Sequence, residues 1–148
     1  MKIVISNDHA ACDLKRVVKE YVEGLGHTVI DVGNQDGSSC NYPEQAKAAA
    51  DLIVSGECEL GILICGTGVG ISIAANKVNG IRCGCCSDTA TARLIRQHND
   101  ANMIAFGARI VGNELAKDIV SAFLTAEFEG GRHQTRVDMI TDIENSQK

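Results

Sequence analysis

The 148-residue sequence predicts an α/β protein, a three-layer α/β/α sandwich around a parallel, Rossmann-like sheet. Two observations lead there. Short apolar segments alternate with amphipathic ones from end to end, and those short segments are almost continuously apolar, as strands buried on both faces must be. Right-handed crossovers then place helices on both sides of the sheet.

Ile3 to Ile5 is the first buried strand, and Leu14 to Leu25 a helix with apolar positions 14, 17, 18, 21, 22 and 25. Thr28 to Val32 is a second strand, closed by Gly33. A polar loop, Asn34 to Asn41, leads to Pro43, which marks the start of a helix running to about Ser55. Leu60 to Cys65 is a wholly apolar strand, followed by a Gly-rich turn and a helix from Ile71 to Lys77. Ile81 to Cys86 is the fourth strand, and Ser87-Asp88 caps a helix to about Gln97. Met103 to Phe106 is the fifth strand and Asn113 to Phe128 a long helix. After the break Glu129-Gly130-Gly131-Arg132, a last helix is expected from about Val137 to Asn145. No internal repeat or linker divides the chain, so residues 1–148 are expected to form one domain.

Composition removes several classes of function. With 14 Lys+Arg against 19 Asp+Glu the formal charge is −5, which disfavours a general nucleic-acid binder and requires any bound anion to meet a local basic cluster. Aromatic residues are 3% with no Trp, too few for base-stacking platforms. No apolar run is long enough to cross a bilayer, and Met1 to Asp8 turns polar too soon for a signal peptide. A soluble cytoplasmic protein with no membrane partner is expected. Seven cysteines, an odd number without a secretion signal, argue against a disulfide framework. Cys83 and Cys86 form a C-x-x-C inside a predicted strand, where residues three apart face opposite sides. They are therefore assigned as packing thiols rather than a redox or zinc pair, and no metal site is predicted.

In open α/β sheets ligands bind beyond the carboxyl ends of the strands. Asp8-His9 follows the first strand, Cys65-Gly66-Thr67-Gly68 the third and Gly107-Ala108-Arg109 the fifth, so three polar groups meet on one edge. Glycines at 66, 68 and 70 let amides turn inward at a helix start as an anion-binding nest. The Gly-Lys-[Ser/Thr] ending of a Walker loop is missing, Ile71 and Ile73 stand where a dinucleotide fingerprint needs its third glycine, and Ile71 where a Cys-x5-Arg phosphatase needs arginine. A thiol at a helix N-terminus is biased toward thiolate, and a base beside a nest of donors is what proton abstraction next to a carbonyl requires. The alternative for Cys65 is a buried structural thiol. Downstream, Arg132 and Arg136 are four apart, fit for a phosphate clamp or for surface salt bridges. His98 either serves a site or caps a helix C-terminus, and His27 is ordinary surface.

Taken together, Ser6-Asn7-Asp8-His9, Asn41-Tyr42-Pro43, the block Ile64 to Lys77, Arg96-Gln97-His98-Asn99-Asp100, Ala105-Phe106-Gly107-Ala108-Arg109 and Glu129-Gly130-Gly131-Arg132-His133-Gln134 closely resemble type B ribose-5-phosphate isomerases, in the sugar-phosphate isomerase family that includes galactose-6-phosphate isomerase. The resemblance implies a five-stranded parallel sheet, interconversion of ribose 5-phosphate and ribulose 5-phosphate without cofactor, and a homodimer, with pairing into tetramers open, whose sites are shared between subunits. By position it implies that Cys65 moves the proton between C2 and C1, that the amides of Gly66, Thr67, Gly68, Val69 and Gly70 hold the enediolate, and that His98 opens the furanose ring. It implies that Asp8 and Asn99 hold sugar oxygens, and that His9, Arg109, Arg132 and Arg136 contact sugar and phosphate. Some members carry a glutamate base just after the Gly-rich turn; here Ser72 and Ile73 stand nearby, so Cys65 is alone. The alternatives are an isomerase of allose or galactose 6-phosphate, or a non-catalytic sugar-phosphate sensor. Galactose-specific relatives pair two different subunits and tend to lack the Arg96–Asp100 and Gly130–His133 segments, which favours the pentose. An intact Cys65 with His98 disfavours the sensor.

Overall fold

The structure, a computed structural model, describes residues 1–147. Five strands, β1 (Lys2–Asn7), β2 (Thr28–Asp31), β3 (Leu60–Cys65), β4 (Cys83–Cys85) and β5 (Met103–Gly107), form one sheet in the order β2-β1-β3-β5-β4, every pair parallel. Six helices alternate with them: α1 (Cys12–Gly24), α2 (Tyr42–Val54), α3 (Val69–Asn76), α4 (Thr89–Asn99), α5 (Asn113–Thr125) and α6 (Arg132–Asn145). The expected α/β/α sandwich is present.

The chain moves one way across the sheet in β1→β2 and β4→β5, and the other way in β2→β3 and β3→β4. Right-handed crossovers must therefore put α1 and α4 on one face and α2 and α3 on the other. The core divides accordingly. Leu14, Val18 and Val22 of α1, Ala92 of α4 and Ile119, Val120 and Phe123 of α5 pack on Ile3, Ile5, Ile62, Ile64 and Phe106. Ala46, Ala49 and Ala50 of α2 with Ile71 and Ala75 of α3 pack on Val4, Leu63, Cys65, Met103 and Ala105. Small residues of α2 let it lie close to the sheet, and β3, buried at every residue, carries apolar side chains on both faces.

Three elements differ with a clear physical reason, while other ends shift by one or two residues. The fourth strand shrinks from 81–86 to Cys83–Cys85, because at the sheet edge its free backbone is taken by a side chain. Asn76 accepts from the Cys83 amide at 2.8 Å and donates to its carbonyl at 2.9 Å. The long helix stops at Thr125 rather than Phe128, and the last begins at Arg132 rather than Val137. Gly130 and Gly131, at φ +66° and +57°, make a left-handed turn that only glycine adopts freely, and the helix nucleates on their carbonyls. The cap at Asp88 forms as expected, accepting from the Thr91 amide at 2.7 Å.

Cys83 faces the α2/α3 side and Cys86 the other, so the C-x-x-C pair points apart. Burial pushes both thiols up, Cys86 to about 12, and all seven cysteines are free. One buried polar group was not anticipated. Lys15 of α1, 2% exposed, places Nζ 2.9 Å from an Asp31 oxygen at the end of β2 and donates to the Asn34 carbonyl at 3.0 Å. Burial pushes the Asp31 carboxyl up, but the Lys15 hydrogen bond, the Gly33 amide and the Lys15 charge together hold it below its ordinary value. No helix among the described residues is long and apolar enough to cross a membrane.

Candidate active site

The chain reverses direction across the sheet between β1 and β3, opening a crevice at their carboxyl ends. Asp8 closes β1, its amide donating to the Ile64 carbonyl, and its Oδ1 accepts from the Ala10 amide at 3.0 Å to start a single 3-10 turn, His9–Ala11. His9 is exposed at this edge, its Nδ1 accepting from the Cys40 amide at 3.2 Å. The loop carrying Cys40 is tied back to α1 through Asn34 and Lys15.

Cys65, the last residue of β3, is buried, and its Sγ accepts from the Gly68 amide at 3.1 Å. That bond fixes where the sulfur's electron pairs point. Gly68 must be glycine twice over: its φ is +83°, and a Cβ there would stand 2.7 Å from the Phe106 backbone. The turn and the β5 end are interlocked, with Ala108 and Arg109 amides donating to the Cys65 and Gly66 carbonyls at 2.9 and 3.0 Å. Of the five amides in the expected nest, Gly68 donates to Cys65 and Val69 to the Thr67 hydroxyl at 3.2 Å, so these two are engaged within the turn itself. The amides of Gly66, Thr67 and Gly70 have no hydrogen-bond partner among the described residues. The Arg109 guanidinium lies over the turn, within 3.2 Å of where a Gly66 Cβ would be. A sulfur, open amides and a guanidinium thus meet in one crevice, the arrangement needed to hold an anion beside a proton acceptor.

The remaining expected residues lie elsewhere. His98 and Asn99 end α4, which leads into β5, so they stand at the amino edge of the sheet, where Arg82 donates to the Asn99 carbonyl at 2.9 Å. Glu129 donates its amide to the Gln97 carbonyl, placing the start of α6, with Arg132 and Arg136 exposed in its first turns, at the same edge. The six residues of β3 separate the two edges by about 17 Å at ~3.3 Å per residue. Within one chain, Asp8, His9, Cys65, the Gly66–Gly70 turn and Arg109 come together, whereas His98, Asn99, Arg132 and Arg136 form a second group.

Several neighbours went unassigned in the sequence. The Tyr42 ring lies so close to Gly70 that a Cβ there would come within 2.8 Å of it; its signal was its place before Pro43, at a helix start on the carboxyl edge. Ser72 donates to the Val69 carbonyl at 2.7 Å and is occupied as a helix partner. Cys85 lies 3.9 Å from the Thr67 carbonyl, its thiol pushed up by burial and then by Cys65, against a hydrogen bond from Ser72. In the second group the His98 ring stacks on His133, centroids 4.3 Å apart. Burial first, then the charges of His98 and Arg132, hold His133 below the usual histidine range against the pull of Glu129. A groove of about 660 Å³ between Asn76–Gly84, Ile95 and the end of α6 contains none of the residues around Cys65. Cys65, the Gly66–Gly70 turn and Arg109 lie instead in the open crevice at the carboxyl edge.

Residues 3–140 match the model of the family described as Ribose/Galactose Isomerase. The chain is 52% identical over 143 residues to ribose-5-phosphate isomerase B of Escherichia coli, covering 97% of this chain and 96% of that one. It is 45% identical over 149 residues to D-erythrulose-4-phosphate isomerase of Pectobacterium atrosepticum, covering 100% and 98%. Among solved structures, ribose-5-phosphate isomerase B of Clostridium thermocellum superposes with a TM-score of 0.98 at 50% identity, covering all of both chains.

Proposed function

The chain belongs to the ribose/galactose isomerase family, and from that premise we propose that it interconverts ribose 5-phosphate and ribulose 5-phosphate through an enediolate. The observation that carries the proposal is the Cys65 sulfur held by the Gly68 amide beside a turn with open amides and the Arg109 guanidinium above it. In the open-chain aldose, Cys65 takes the proton from C2 and returns it to C1, while the O2 hydroxyl proton passes to O1 through solvent. The charge that builds on the carbonyl oxygen meets the amides of Gly66, Thr67 and Gly70, already in place before the reaction. Asp8 and His9 bind sugar hydroxyls and phosphate from the same edge.

A complete site needs two chains. His98, as the acid–base group that opens the ring, and Asn99, Arg132 and Arg136, as contacts to sugar and phosphate, stand on the opposite edge from Cys65. A second copy related by a twofold axis brings its amino edge to the first chain's crevice. Val69 and Ile73 on α3 and Met139, Ile140 and Ile143 on α6 are exposed apolar residues available to such a contact. Seven free thiols fit a reducing compartment, and the cytoplasm is the proposed setting.

Turnover on ribose 5-phosphate, with allose 6-phosphate, galactose 6-phosphate and D-erythrulose 4-phosphate in parallel, tests the substrate. The pentose should give the highest kcat/KM, and Cys65→Ala should abolish turnover while substrate still binds. A higher kcat/KM on another of these sugars overturns the pentose assignment; a Cys65→Ala chain near wild-type rate overturns the base.

A further inference from the structure

Glu129 lies in the break before α6, held against the last turn of α4 by its bond to the Gln97 carbonyl. His133, one helical turn on, is 8% exposed, and its ring is only 10° from parallel to that of His98. Both Nε2 atoms approach one carboxylate oxygen: Glu129 Oε1 is 3.8 Å from His98 Nε2 and 3.5 Å from His133 Nε2. These distances are too long for hydrogen bonds. The three ligand atoms nevertheless lie within 4.8 Å of one another. With the rings stacked no point lies in both ring planes, so an ion ~2.0–2.2 Å from all three ligand atoms requires one imidazole to turn, and the three are already close enough for that turn to suffice.

We propose that His98, His133 and Glu129 form a binding site for a transition-metal dication of the zinc class, with water completing the coordination. Two imidazoles and one carboxylate suit zinc, copper or nickel and not calcium or magnesium, which take oxygen ligands. His98 and Glu129, with side chains 39% and 52% exposed, leave an open path for the ion. An ion lies in the plane of each ring it binds, so capture turns His98 out of its stack on the more buried His133. Arg132 and Arg136 at the start of α6 oppose a cation and weaken its binding. The metal occupies His98 and so withdraws it from the sugar. That consequence, unlike the binding itself, rests on the ring-opening role proposed above.

Equilibrium dialysis of zinc against the wild-type chain and the variants Glu129→Gln, His133→Gln and His98→Asn tests the site. Glu129→Gln, a conservative change at an exposed residue, guards against an answer given by misfolding alone. One bound equivalent in the wild type should weaken at least tenfold in every variant. Cobalt in its place should show d–d bands without thiolate charge transfer. Equal binding in wild type and Glu129→Gln, or a thiolate-dominated cobalt spectrum, would assign the metal to the cysteines and overturn the proposal. If zinc binds at the triad but inhibits turnover of aldose and ketose equally, the metal site stands and the ring-opening role of His98 fails.

Discussion

Mixing an inactive variant with a severely impaired one tests the shared site most directly. Cys65→Ala removes the proposed base, and Arg132→Ala/Arg136→Ala removes the proposed phosphate clamp. The two lesions lie on opposite edges of the sheet, a strand length of about 17 Å apart. If each site takes its carboxyl edge from one chain and its amino edge from the other, a hybrid dimer has one site with both lesions and one wholly wild-type. Random re-pairing of equal amounts makes half the dimers hybrid, and half the sites of each hybrid are intact, so activity should return to about a quarter of the wild-type value. The assay is ribose 5-phosphate turnover after subunit exchange, with exchange verified separately by mass-tagged chains. Full exchange with no recovery would show that every site is built within one chain. The shared-site reading would then fail, and the arginines would act on activity from within their own chain.

Arg136→Ala should raise KM about ten- to a hundredfold with little change in kcat, the loss of one charge-assisted contact of roughly 1.5–3 kcal/mol, measured by steady-state kinetics. Gly66→Ala should fold normally, because its Cβ meets only the movable Arg109 side chain, yet weaken substrate binding by displacing that guanidinium. Gly68→Ala should instead lower stability by at least ~2 kcal/mol in chemical denaturation, since its φ of +83° and the fixed Phe106 backbone leave no room to adjust. Lys15→Met strands the Asp31 carboxylate and should cost about 3 kcal/mol at pH 7, lowering Tm by about 6–12 °C. Because Asp31 is held below its ordinary value of 3.8, the pair's contribution is present above that pH and is lost as pH falls through the folded value. The gap between wild type and Lys15→Met should therefore narrow in acid, and a gap independent of pH would discard the pair as its origin.

What could be read from residues and what could not divides along physical lines. Continuous apolar strands such as Leu60–Cys65 specify a sheet covered on both faces, and strand–helix alternation specifies that it is parallel. The carboxyl-edge cluster follows from the same alternation, because Asp8, Cys65 and Arg109 each follow a strand. Local patterning misplaced the start of α6 because hydrophobic periodicity there is weak, while the helix begins on two left-handed glycines whose carbonyls nucleate it. Lys15 was invisible for another reason. A lysine on a helix is ordinarily solvated, and only the approach of β2 encloses this one with Asp31. The placement of His98 was implied by the alternation all along. A residue that closes a helix and precedes a strand must stand at the amino edge, and no rearrangement of loops within the chain carries it past a strand to Cys65. On the proposed isomerase reading the histidine and arginine motifs therefore act across two chains, while within one chain the His98 and His133 rings stack beside Glu129. Of the side chains that the isomerase reading needs at a neighbour's crevice, His98 alone is also a ligand in the proposed metal site, so zinc and sugar should compete for it.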